Sequence, residues 1–409
     1  MATKPIINSV IVLVILTLSL PIAVLAGNGE PEKLKEVRFA SFNASLSRSS
    51  AGQLIADLSV PDNPQARAVA EIIQRSQPDV LLVNEFDFDE AGTAAQLFLD
   101  NYLSISQNGA KPIRYPYWYV AASNTGVPSG FDLDNDGKVG GANDAFGLGD
   151  FPGQYGMVVY SRAPIDLDRV RTFQFFLWKD MPSALLPDNP DTSQPADWYS
   201  PAELNVLRLS SKSHWDLPLL IGGKTVHLLT SHPTPPVFDG PEDRNGRRNH
   251  DEVRFWADYL LPSHSSYIYD DKGNPGGLTT GEPFVILGDL NADPLDGDSI
   301  PGTVQQLLDH PLVNTRLTPS SQGAVEQALL QDAANSQQEG NPAYDSADFP
   351  EPPGNLRVDY VLPRKNLRMT GAHVFWPSTD NPLFRLVGTH PFPSSDHRLV
   401  WVDVWVPGN

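Results

Sequence analysis

Asp289 and Asn291 set a carboxylate and a carboxamide two residues apart in the stretch Ile286-Leu287-Gly288-Asp289-Leu290-Asn291-Ala292-Asp293-Pro294. A carboxylate can take a proton from water, while a neighbouring amide orients that water or the group it attacks. The residues before them, Phe284 to Leu287, form an apolar run of strand length; Gly288 and the polar residues stop it, and Pro294 forbids its continuation. Side chains two apart at the mouth of a strand point the same way. An Asx-rich turn after a core strand explains this stretch equally well when it is taken alone.

Other polar residues stand at similar places along the chain. Val37 to Phe42 alternates apolar and polar residues and reads as a strand ending in Asn43. Pro64 opens a helix with an apolar face of Ala66, Val69, Ala70 and Ile73, which Gln77-Pro78 ends. Val80 to Val83 is a second buried strand, delivering Asn84 and Glu85 at its end, where a glutamate serves as a metal ligand or as a solvated terminus. Met157 to Tyr160 and Thr225 to Thr230 are further strands. In the second, His227 and His232 fall on opposite sides of the pleat; His232, before Pro233, is free for a loop to present, and His227 reads as an ordinary satisfied histidine. Leu356 to Leu362 is a strand with Asp359 in its middle, and a lone acid among apolar residues needs a partner. Ser394-Ser395-Asp396-His397-Arg398, just before the final strand, supplies one.

Taken together, Ser41-Phe42-Asn43, Asn84-Glu85, Ser231-His232, Gly288-Asp289-Leu290-Asn291, Val358-Asp359-Tyr360-Val361-Leu362 and Ser395-Asp396-His397 resemble, in order and context, the endonuclease/exonuclease/phosphatase superfamily. That superfamily includes DNase I, exonuclease III-type repair nucleases, neutral sphingomyelinases and inositol-phosphate phosphatases. The resemblance spans Phe39 to Val406. It implies a four-layer αββα sandwich of two mixed sheets, of the DNase I-like α/β class, with the site at one end of the sheets. It also implies roles. Glu85 and Asp396 would hold a divalent cation, Mg²⁺ or Mn²⁺, with Asn43 helping to place the metal and its shell. Asp289 would act on the attacking water, and Asn291 would orient the scissile phosphate. His397, oriented or kept charged by Asp359, would meet the phosphoryl oxygens, and His232 would bond the same phosphate or the leaving oxygen.

Two features lie outside those motifs. Asp132, Asp134 and Asp136 followed by Gly137 resemble the first half of an EF-hand-type calcium loop over 132–144. The twelfth position is Asn143 rather than glutamate, with Asp144 beside it, so the readings are a structural Ca²⁺ site and a solvated turn. Arg244, Arg247, Arg248 and His250 cluster before a helical pattern of Val253, Trp256, Ala257 and Leu260. Arg247 and Arg248 are candidates for substrate phosphate, against solvated charges at a helix start.

Composition bounds the rest. The 409 residues, 40% hydrophobic and 19% charged, suffice for a sizeable core, read here as a single domain over 37–409 with a loop-rich stretch at 314–356 that is a long insertion or a mobile loop. The formal charge of −20 argues against a nucleic-acid coat or a binder of anionic membranes, but not against an enzyme that meets phosphate at a metal-neutralised site. Lys4, the apolar run Val10 to Leu20, then Pro21 and a Val24-Leu25-Ala26 cleavage site read as an export signal over 1–26, with a membrane anchor as the alternative. An exported chain with no cysteine has no disulfides, so its core and any bound cations must supply its stability. The expectation is therefore a secreted or periplasmic, cation-dependent phosphoesterase acting on nucleic acid or on a small-molecule or lipid phosphodiester, with a phosphomonoester third. A non-catalytic calcium-binding module is the reading from another class. No protein partner is implied, and a monomer is expected.

Overall fold

The computed structural model describes residues 36–406; the segment expected to be an export signal, 1–26, lies outside the described residues. Thirteen strands occur among them: β1 (Glu36–Leu46), β2 (Val80–Phe86), β3 (Tyr117–Tyr119), β4 (Met157–Ser161), β5 (Arg171–Thr172), β6 (His214–Ile221), β7 (Lys224–Ser231), β8 (Phe284–Asp289), β9 (Ala347–Asp348), β10 (Asn355–Leu356), β11 (Asp359–Pro363), β12 (Arg368–Val374) and β13 (Val400–Trp405). They form a six-stranded sheet in the order β12-β13-β1-β2-β4-β3, a five-stranded sheet in the order β11-β8-β7-β6-β5, and the hairpin β9-β10.

The alternation along β8 explains the layers. Val285 and Leu287 belong to a core shared with β1, β2 and β4, whereas Phe284 and Ile286 belong to a second core with Val253, Trp256 and Tyr259 of the helix Arg244–Tyr259. Each β8 residue is thus buried on one side by the other sheet or on the other by a helix, which is why the strand reads as a continuous apolar run. The helix Pro64–Ser76 contributes Ala66, Val69, Ala70 and Ile73 to the first core. Its start is fixed by the Asn63 side chain accepting from the Ala66 N–H, and its end by Gln77 in the left-handed region. The result is the mixed α/β, two-sheet architecture that the motifs imply.

Strand direction gathers the polar residues at one end. β1 runs parallel to β2, and β7 parallel to β8, so Asn43, Glu85, Ser231 and Asp289 lie towards the C-terminal ends of their strands. β11 and β13 run antiparallel to β8 and β1, so the residues that enter them arrive at the same end. Asp359 thereby stands directly opposite Asp289 in register. Gly288 lets the strands come this close: a Cβ there would meet the Ser231 carbonyl oxygen at 2.2 Å.

The structure departs from the sequence expectation at three places. β1 does not end at Asn43 but continues to Leu46, with its pairing to β2 shifting between Asn43 and Leu46 and Ser45 at φ 48°. The alternation around Asp289 stops there, because Asn291 has φ 51°; it does not extend the strand face that Asp289 occupies. Residues 314–356, read as a loop-rich insertion or mobile loop, carry regular elements. They contain the helix Gln322–Gln331, capped by the Ser321 side chain, and β9-β10, and they bury Ser346 against Asp359. That segment stays folded through side-chain caps and polar contacts, which carry little hydrophobic periodicity for a sequence to display.

Candidate active site

Asp289 is the hub. Its Oδ2 accepts a hydrogen bond from Asn43 Nδ2 at 3.0 Å and lies 3.4 Å from His232 Nε2 and 3.7 Å from His397 Nε2. Its Oδ1 accepts the Asn291 N–H at 2.9 Å. Residues from β1, β8, the loop after β7 and the loop before β13 therefore converge on one carboxylate, all but Asn291 buried. The other nitrogen of His397, Nδ1, lies 2.9 Å from Asp359 Oδ2. Ser346 Oγ donates to that same oxygen at 2.9 Å and accepts the N–H groups of Val358 and Asp359.

This arrangement sets the charges. Burial pushes the His397 imidazole down, but Asp359 and Asp289 on its two sides outweigh it and push it up to about 10. Burial raises Asp289, yet His397 and His232 more than offset this and hold its carboxyl below the usual carboxylate range. Asp359, also raised by burial and only partly compensated by His397, is pushed up to about 6. His232 goes the other way: burial, then the charge of Lys212, lower it against the pull of Asp289. The site thus holds an imidazolium, His397, beside a neutral imidazole, His232, with an ionised Asp289 between them. His232 Nδ1 is buried and has no hydrogen-bond partner among the described residues.

Glu85 stands next to this hub at the end of β2, with φ 54°, a costly backbone for a non-glycine residue. Its Oε1 accepts from the same Asn43 amide that serves Asp289, at 3.1 Å, and its Oε2 is 3.5 Å from Ser47 Oγ. Asn43 thus joins the two acids. Asp396 sits on the β1 side, where its Oδ1 lies 3.3 Å from Ser45 Oγ, and Ser395 Oγ donates to the Asn43 carbonyl. The residues fit a hard divalent cation: Glu85, Asp396 and the Asn43 amide oxygen offer oxygen donors, and Glu85 has no cationic side chain within 4.0 Å among the described residues. Asp289, Asp359 and His397 also bring ligand atoms within 4.8 Å of one another. There, however, the His397 ring itself lies between the two carboxylates, with Nδ1 2.9 Å from Asp359 and Nε2 3.7 Å from Asp289, an arrangement suited to acid–base pairing.

Other expectations are met unevenly. The Asn291 side chain donates to the Pro233 carbonyl at 3.1 Å, bracing the His232 loop rather than reaching Asp289. His227 faces away and pairs through Nδ1 with Asp216 at 2.7 Å. Asp132, Asp134 and Asp136 do converge, with carboxylate oxygens within 4.8 Å. Asp144 does not join them: its two oxygens accept the backbone N–H groups of Leu133 and Gly140, closing the loop. Arg247 and Arg248 are corrected as phosphate ligands. Arg247 pairs with Asp188 and the Leu186 carbonyl, and Arg248 donates to the carbonyls of Leu209, Phe146 and Arg208. Both guanidinium groups hold loops together.

Three contributors are not foreshadowed by any sequence pattern. Lys212, 6% exposed, lies in a polar loop without periodicity before β6, and lines the same recess as Glu85 and His232. Glu252 and Asn249, on the helix Arg244–Tyr259, looked like its solvated face. Instead both are buried: Glu252 accepts from Ser211 and Thr234, and Asn249 donates to the carbonyls of Thr234 and Leu290. The recess has a volume of about 170 Å³ and continues from Glu85 and His232 past Leu148, Tyr155, Tyr199 and Phe238.

The profile of the Endonuclease/Exonuclease/phosphatase family matches residues 40–397. Among solved structures, the chain is similar to an endonuclease/exonuclease/phosphatase from Beutenbergia cavernae, at 17% identity over 92% of this chain and 72% of that one, with a TM-score of 0.48. It is also similar to truncated Caenorhabditis elegans TDP2, at 14% identity over 91% and 98% with a TM-score of 0.40, and to sphingomyelinase C from Streptomyces griseocarneus, at 17% over 91% and 99% with a TM-score of 0.42. No curated protein matches the chain.

Proposed function

Because this chain belongs to the endonuclease/exonuclease/phosphatase family, whose members are phosphoester hydrolases, we propose that it hydrolyses a P–O ester bond by attack of water, with a divalent cation, Mg²⁺ or Mn²⁺, bound near Glu85. The observation that carries this reading is the convergence of His232, His397 and Asn43 on the single oxygen Asp289 Oδ2. A cation supplies charge stabilisation of phosphoryl oxygens when bound, and Glu85, Asp396 and Asn43 are the residues to hold it.

The chain's own groups supply the remaining chemistry. Asp289, kept ionised, accepts a hydrogen bond from the water, directs its lone pair and takes its proton as the new P–O bond forms; the P–O bond to the leaving group breaks, and the alkoxide released takes a proton from solvent. His397, kept protonated by Asp359, donates towards the phosphoryl oxygens as negative charge accumulates. His232, neutral and donating Nε2–H to Asp289, fixes that carboxylate's orientation. Asn43 couples the acid that works on water to the acid proposed for the cation. Ser346 fixes the carboxylate that charges His397.

Within this class, the recess beside Glu85 and His232 favours a compact phosphodiester with an apolar or aromatic group over a nucleic-acid polymer, whose binding the formal charge of −20 also opposes. Nucleic acid is the second reading. Export through residues 1–26 and a monomeric state complete the proposal, to be checked by N-terminal sequencing of the secreted protein and by light scattering. The reaction itself is tested by turnover in ¹⁸O-water. Label in the phosphate-bearing product supports water attack at phosphorus, and label only in the alcohol product would rule it out.

A further inference from the structure

Lys212 is a cation withdrawn from solvent yet without a counter-ion in contact. It is 6% exposed, and among the described residues no carboxylate lies within 4.0 Å of its Nζ and no hydrogen bond forms there. An ammonium group buried this way is costly unless something brings it an anion. Its backbone is fixed on both sides. Glu252 accepts the Ser211 N–H at 2.6 Å and the Ser211 hydroxyl at 3.1 Å, while the Lys212 carbonyl accepts the Asn124 N–H at 2.8 Å. The other oxygen of Glu252 accepts the Thr234 N–H at 2.6 Å, so one carboxylate holds the Lys212 loop and the His232 loop together. Gly147 allows a third loop to close on them: a Cβ there would meet the Ser211 carbonyl oxygen at 1.9 Å.

All the hydrogen bonds to Glu252 come from neutral donors, so it positions Lys212 without capping it. The neighbouring arginines are not equivalent. Arg248 spends its Nε and one terminal nitrogen on carbonyls, and Arg244 is paired with Glu242. Among the described residues, Lys212 is therefore the cation in this recess with all of its side-chain donors unspent, whereas both arginines already spend part of theirs, and it shares the recess wall with Glu85 and His232.

We propose that Lys212 binds the non-bridging phosphoryl oxygens of the substrate, presented to the recess by the Glu252 clamp on Ser211 and Thr234. The inference rests on the phosphoesterase reading and adds to it the cation that the arginine cluster was expected to supply. An ammonium group offers three rotatable donors and a full charge to a phosphoryl group, in ground state and transition state alike. Its loss should weaken phosphate binding and slow the reaction without loosening the fold.

The test compares wild type, Lys212→Met and Lys212→Arg, each with Mg²⁺, by competitive inhibition and thermal shift with inorganic phosphate. Lys212→Met should lower kcat/KM on the order of 10²-fold, as removing one charge-stabilising donor does. It should also raise the phosphate inhibition constant at least about tenfold and abolish the phosphate-induced rise in Tm. Its own Tm in the absence of phosphate should equal or exceed that of wild type, because the uncompensated buried charge is gone. Lys212→Arg should recover part of the phosphate affinity. Unchanged phosphate affinity in Lys212→Met, or an affinity loss accompanied by a lower Tm, would overturn the proposal and make Lys212 a structural partner of the surrounding carboxylates. If wild type neither hydrolyses a phosphoester nor binds phosphate, the phosphoesterase reading fails and the proposal with it. If only the lysine variants behave like wild type, the lysine's role fails alone.

Discussion

Replacing Asp289 by asparagine removes one charge from the middle of the site while keeping its shape. The carboxylate receives Asn43 Nδ2, the Asn291 N–H and the two imidazoles, so an amide there turns its NH₂ towards a donor in at least one direction. Hydrogen bonds to a charged group contribute about 1.5–3 kcal/mol each, which would suggest a large loss of stability. Yet Asp359 faces Asp289 in register, both are buried, and Asp359 is pushed up to about 6. Removing one of two neighbouring carboxylates relieves that repulsion, and the two effects oppose each other. The expected outcome is a folded protein whose Tm moves by only a few degrees. Activity should fall by about 10² to 10⁴, or roughly 2.7–5.4 kcal/mol of barrier, because the residue that directs water is gone. Initial rates on a chromogenic phosphodiester with Mg²⁺, alongside circular dichroism melts, measure both quantities. A variant that melts like wild type and turns over within tenfold of it would refute the role given to Asp289.

Four further outcomes follow from the geometry. Ser346→Ala leaves the Val358 and Asp359 N–H groups without their acceptor, and should cost about 1–3 kcal/mol of stability, read by denaturant unfolding, together with part of the activity. Gly288→Ala, with its Cβ against the Ser231 carbonyl, should destabilise the protein and slow turnover by separating β7 from β8; a wild-type melt would contradict that close approach. His397, raised from the ordinary 6.5 to about 10, contributes stability that is fully present below pH 6.5 and lost as pH rises through about 10. The Tm difference between wild type and His397→Gln should therefore shrink in that alkaline window, and parallel profiles would count against the charged imidazole. If Asp132, Asp134 and Asp136 bind Ca²⁺, free calcium at 100 times its dissociation constant should add about 2.7 kcal/mol, absent in Asp134→Ala; a wild-type Tm indifferent to calcium leaves a solvated turn.

Much of the site is legible in the sequence because its residues stand where strand patterns stop. Asn43, Glu85, His232, Asp289 and Asp359 each follow or open a run of apolar residues, and the parallel pairs β1-β2 and β7-β8 bring such ends together. The partner for Asp359 could be sought near Ser395 to Arg398 because a buried acid demands one, and His397 meets it at 2.9 Å. Lys212 is different. Its burial follows from a clamp by Glu252, forty residues further on and on a helix face that reads as polar. Ser346 lies in a segment without periodicity and acts through backbone N–H groups, which no pattern of side chains reveals. The arginine pair misleads for the same reason: backbone carbonyls, invisible in the sequence, take up the guanidinium donors.

The central claim is that this chain hydrolyses phosphoesters with a divalent cation bound near Glu85 and with Asp289 acting on the attacking water. Its most direct measurement is the turnover of purified protein on DNA, RNA, sphingomyelin, inositol phosphates and bis-p-nitrophenyl phosphate, with Mg²⁺ and with EDTA, for wild type and Asp289→Asn. Hydrolysis of at least one substrate that requires Mg²⁺, stops with EDTA and is lost in the variant is the predicted result. Hydrolysis indifferent to EDTA, or retained in Asp289→Asn, would contradict the account.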